Sequence, residues 1–150
     1  MNDAHLHLVF NHFPIIGTIF SFGVLVAGLI LKNDTVKNVS YCLFIVTAIF
    51  AYASMSTGGG AAGVIKGMPD VTKSMIHEHA EIAEKLALIL YSLGALSIIG
   101  LYANIKKLGM SKWIAFLVLF VAGVAGYISK DVVTTGGEIR HTEIRSELGC

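Results

Sequence analysis

The sequence is short of charge. Only 14% of its 150 residues are Asp, Glu, Lys or Arg, against about a quarter in soluble domains, whose surfaces must face water. Cysteine is nearly absent as well. Cys42 and Cys150 stand alone, so no CxxC redox pair and no CxxCH haem attachment exists. HExxH, Walker, GxGxxG and GxSxG motifs are all missing, which removes the usual signatures of hydrolytic and nucleotide-driven chemistry. His77-Glu78-His79 is not a zincin fragment, because its histidines are two residues apart and not four. The glycines at 58–60 lack the lysine of a phosphate loop. A formal net charge of +1 gives no reason to expect a nucleic-acid partner. No tandem repeat or coiled-coil pattern is evident. The opening MNDAHLHLVF carries Asp3 and no basic residue, unlike an export signal, so the first apolar segment is expected to stay in the protein.

What the chain has is apolar sequence. Hydrophobic residues make up 55% of it, and the mean hydropathy is +0.73. They fall into four runs, giving expected spans at about 13–31, 39–56, 86–105 and 112–129 and a polar tail at 130–150. Roughly 17–25 residues cross a hydrocarbon core. The expectation is therefore an all-α integral membrane four-helix bundle, up-down-up-down, forming a single domain. Pro14 sits where a first helical turn tolerates proline. Ser56-Thr57-Gly58-Gly59-Gly60 reads as a helix stop, and Pro69-Asp70 as the start of a helix with polar first turns. Small residues recur in the spans, among them Gly17, Gly23, Gly94 and Gly126. They suit close helix packing and would equally leave room for a flat cofactor.

Four crossings put both termini and the 57–85 connection on one side. The two short connections, on the other side, hold Lys32, Lys37, Lys106, Lys107 and Lys112 against a single acid, Asp34. By the positive-inside rule that face is cytoplasmic and both termini are outside. All six histidines, His5, His7, His12, His77, His79 and His141, fall at the outer face. Three separate segments thus deliver imidazole to one membrane boundary.

Imidazole at such a boundary is the usual axial ligand of b-type haem, and it also binds copper, zinc or non-haem iron. His12 and His79 form the expected pair. On a helix, His79 shares a face with Leu86 and Leu90, and His12 with Ile16 and Ile19. His77 lines up with Glu81, which is placed to hold its ring or share a metal with it. His5, His7 and His141 complete the candidate ligand set, and Arg140 is a candidate for a haem propionate, as is Lys73. Glu78, Glu81 and Glu84 form an acidic stripe that could accept protons near a quinone, or simply favour a helix N-terminus. Glu138, Arg140 and Glu143 are candidates to pair with the 70–85 segment or with a partner protein. Cys42 and Cys150 are expected on opposite sides and unbonded.

His12-Phe13-Pro14 entering the first span, Thr57-Gly58 after the second and His79 before the third together resemble the DUF2231-like family of small bacterial multi-span membrane proteins. The likeness covers about residues 5–130, although the chain has His5-Leu6-His7 where that family often has a His-Pro pair. It implies a respiratory or redox association and haem binding. The leading expectation is a haem-b-bearing or quinone-facing electron-transfer subunit of the bacterial cytoplasmic membrane. It would be associated with other membrane subunits or with itself. The alternatives are a cofactor-free structural subunit of a respiratory or transport complex, and a protein that handles copper, zinc or iron. The span centres carry hydroxyls such as Ser21, Thr47, Ser92 and Ser97 but no charge, which argues against ion passage.

Overall fold

A computed structural model describes residues 2–141 together with Glu143 and Arg145. Cys150, and with it the question of a bond to Cys42, lies outside the described residues. Among those described, all regular structure is helical: α1 (Asp3–Phe10), α2 (His12–Ile30), α3 (Asp34–Ile65), α4 (Lys73–Ile105) and α5 (Ser111–Arg140). Asp3–Ile30 taken together, and α3, α4 and α5 singly, are each long and apolar enough to cross a membrane.

Local chemistry sets the helix ends. Asn2, Asn33 and Thr72 each accept a hydrogen bond from a backbone N–H three residues on, satisfying first-turn donors of α1, α3 and α4. Pro14 explains the interruption between α1 and α2. Its ring crowds the carbonyl four residues back, that of Phe10, and α1 ends there. After α2 the chain turns through Lys32 at φ 51°, and after α4 through Lys107 at φ 55°. In both, a 6→1 backbone bond closes the helix, Asn33 N–H to Gly28 O and Leu108 N–H to Ala103 O.

Two boundaries differ from the sequence reading. The glycines at 58–60 do not stop α3, which runs on to Ile65. They are a contact surface: a Cβ at Gly60 would run into the Asp3 carboxylate, and one at Gly58 would touch the His7 ring. Removing side chains there lets α1 lie against α3. Likewise α5 continues past Ser129 through Gly136-Gly137 to Arg140, so the first eleven residues of the expected tail are helix. Pro69-Asp70 belongs to a turn ahead of α4, with Asp70 at φ 63°.

The helices close a ring in which α2 packs on α3, α3 on α4, α4 on α5 and α5 on α2. Leu25, Tyr41, Phe44, Leu90, Leu93 and Val118 fill its centre. The α3–α4 seam is tight. A Cβ at Gly94 would sit 2.7 Å from that of Ala48, so glycine sets the helix separation here. Ser40 donates across the α2–α3 seam to Ser21 O at 2.8 Å. The outward surface is apolar, with Phe20, Ile30, Trp113 and Phe120 about two-thirds exposed or more, as lipid-facing side chains would be. At the short-loop end Asp34 pairs with Lys37 and Lys107, and Asn104 donates to Asn38 at 2.7 Å. At the other end lie α1, the end of α3, the start of α4 and the end of α5.

Candidate functional site

The histidine end is organised around two half-buried imidazoles. His7, on α1, has Nδ1 3.0 Å from Ser54 O and 3.2 Å from Thr57 Oγ1, both on α3. A carbonyl can only accept, so the proton is on Nδ1 and Nε2 keeps its lone pair. His79, on α4, has Nδ1 3.1 Å from Thr135 Oγ1 on α5. The Thr135 hydroxyl spends its own proton on Asp131 O at 2.8 Å. It therefore accepts from His79, whose Nε2 is again the lone-pair nitrogen. Both rings lie outside the apolar runs. Burial pushes the imidazole of each below the usual histidine range, and for His79 the neighbouring His7 adds to that effect. Each ring is thus harder to protonate than an exposed imidazole and has its Nδ1 tied to the helix beside it.

Helix order places them. In the ring of helices, the α1–α2 arm and α4 are not neighbours but stand across the bundle from each other, as do α3 and α5. One diagonal supplies the imidazoles and the other the anchoring hydroxyls.

The correspondence extends into the sequence, where spacing alone did not reveal it. His5-Leu6-His7 precedes Thr57-Gly58-Gly59, and His77-Glu78-His79 precedes Thr135-Gly136-Gly137. The histidine–threonine separations are 50 and 56 residues. Each half contributes a His-x-His whose second ring turns inward, and a Thr-Gly-Gly that receives it.

The structure therefore half-buries His7 along with His79 and leaves His12 exposed. At about 100° per residue, positions 7 and 12 differ by about 140° around a helix, so one arm cannot turn both rings inward. His12 faces outward with Ile16 and Ile19, its Nδ1 donating to Leu8 O at 3.2 Å. His5 and His77 are exposed for the same reason, two residues before the inward rings. The exposed carboxylate of Glu81 pairs with Lys85 at 2.8 Å and not with His77. Exposed His141 bonds Glu143 at 2.9 Å. Exposed Arg140 points a guanidinium N–H at Met68 Sδ, 3.2 Å away in the turn between α3 and α4, rather than at the 70–85 segment. Glu138 offers its backbone carbonyl to Arg145 at 2.7 Å. Among the described residues no three His, Cys, Asp or Glu side chains cluster as a metal site.

No protein-family model, curated protein or solved structure matches the chain. The site stands on its own geometry.

Proposed function

We propose that this chain is an electron-transfer protein of the bacterial cytoplasmic membrane that holds b-type haem between His7 and His79 and exchanges electrons with quinone. The observation that carries this reading is the matched pair of inward imidazoles. Both have Nδ1–H tied to the neighbouring helix, which leaves Nε2 as the lone-pair nitrogen. An Nδ1–H bond of this kind fixes the tautomer and orientation of a ligating histidine. The donor count favours haem over copper, zinc or free iron. A porphyrin already supplies four nitrogens, so two imidazoles complete the iron, whereas tetrahedral metals want three or four protein ligands. Bound there, haem supplies one-electron exchange. The protein's part is to hold two rings in fixed tautomers. Arg140, at the same end of the bundle, is the cation nearest in kind to a propionate partner. The lysine-rich short loops support an orientation with the histidine end outside.

An absorption spectrum of the purified protein, oxidised and reduced, tests this directly. A Soret band with sharp reduced visible bands is expected. His7→Ala and His79→Ala should each abolish the low-spin signature, and His12→Ala should leave it intact. A protein without a Soret band, or a low-spin spectrum indifferent to His7 and His79, would sink the haem reading. Metal analysis of the same sample would then show whether the pair holds a bare ion. If it holds none, the two histidines are clips joining α1 to α3 and α4 to α5.

A further inference from the structure

His12, left out of the inward pair, stands at the head of an apolar groove between α2 and α3. The groove has a volume of about 470 Å³ and runs from His12, Phe13 and Phe50 down to Phe20, Val24 and Leu43. That size falls within the range of small-molecule sites. From residue 12 to residue 24 a helix rises about 18 Å, so the groove starts at the membrane boundary and descends along the apolar run.

Its polar groups are nearly all spent. Ser21 donates to Gly17 O at 2.6 Å and Thr47 to Leu43 O at 2.8 Å, each within its own helix. Because the His12 Nδ1–H donates to Leu8 O, the neutral ring presents Nε2 as an acceptor at the groove's upper end. Beside it, the rings of Phe13 and Phe50 stack on each other at 4.5 Å with an interplanar angle of 15°, an aromatic rim at the groove's upper end. A fitting ligand has a flat ring carrying a hydroxyl donor and a long hydrocarbon tail. A phospholipid's ester and phosphate groups offer acceptors to a site that itself offers an acceptor.

We propose that this groove binds a membrane hydroquinone, with a ring hydroxyl donating to His12 Nε2, the ring against Phe13 and Phe50, and the isoprenoid tail along α2 and α3. Naming a hydroquinone rather than another lipid phenol rests on the redox reading above. The groove itself is built from α2 and α3 and needs no haem.

The test is photolabelling of the full chain in lipid nanodiscs, with whatever haem its spectrum shows. One probe is an azido-hydroquinone with an isoprenoid tail, and the other a phosphatidylcholine with a photoreactive acyl chain. The hydroquinone should label peptides covering residues 12–24 and 43–50. His12→Leu should cut that labelling about tenfold, the effect expected for losing one good hydrogen bond, while phospholipid labelling stays unchanged. Ile16→Trp, at a half-exposed groove position, should block both probes by filling the space. Equal hydroquinone labelling of wild type and His12→Leu would overturn the proposal, as would displacement of the hydroquinone by ordinary phospholipid. Labelling needs no electron transfer. A chain without haem can therefore still pass this test, and a haem protein can fail it.

Discussion

Gly58 and Gly136 occupy corresponding places beside the two inward imidazoles, yet they are not equally constrained. A Cβ at Gly58 would lie 3.6 Å from His7 Cε1, an ordinary contact, whereas one at Gly136 would lie 2.9 Å from His79 Cε1. Gly136→Ala should displace the His79 ring and perturb a low-spin haem spectrum, with Gly58→Ala spectrally silent. Equal spectra for the two variants would show that the ring has room to move. The same imidazoles set a pH dependence. Each has a folded value below the ordinary 6.5, so in the window beneath 6.5 the unfolded chain takes up protons that the folded chain refuses. Stability should fall as pH drops from 7 towards 5, read as a falling thermal midpoint in detergent, and His79→Gln should flatten that slope. Asp34, at the short-loop end, is held at about 2 by hydrogen bonds first from Lys107 and then from Lys37. It keeps its charge across that window and adds nothing to the slope.

At the scale of the element, the two short turns share an unusual choice. Lys32 and Lys107 both occupy left-handed backbone, where a residue with a Cβ costs about 1–2 kcal/mol and glycine is the common occupant. Lys32→Gly should therefore stabilise the α2–α3 turn by roughly 0.5–1 kcal/mol, measurable as a raised unfolding midpoint. An unchanged or lowered midpoint would mean that the lysine side chain contributes more than its backbone costs. Helix existence was readable from the apolar runs because a run of that length has few other solutions. Helix ends were not. Gly58-Gly59-Gly60 and Gly136-Gly137 read locally as breaks, but tertiary contact turns them into surfaces on which other elements rest. The 3.6-residue period placed His79 correctly on the face of Leu86 and Leu90, both buried. It also placed His12 with Ile16 and Ile19, but it could not say that this face looks outward. Helical phase fixes which residues travel together, and only packing decides which way they point.

Across the whole molecule, the histidines gather at one end, and the short loops at the other carry five lysines against one acid. If the lysine-rich end is cytoplasmic, a single cysteine at Lys66→Cys in a background without Cys42 and Cys150 should react with a membrane-impermeant maleimide in intact cells. One at Lys106→Cys should react only after lysis, and the reverse pattern would invert the orientation. The His-x-His and Thr-Gly-Gly pairs were the legible signal for the site, had the two halves of the chain been compared with each other. Short motifs separated by some fifty residues of generic apolar sequence do not stand out until the helices bring them together. That division of labour also has a consequence for biogenesis. His7 and Thr57 leave the ribosome well before His79, and Thr135 emerges last. The earlier hairpin can seat its own imidazole on insertion, whereas His79 arrives with α4 and finds its anchor only when α5 brings Thr135. Two anchored rings therefore coexist only once α5 is in place, and a group that needs both of them anchored loads late in assembly.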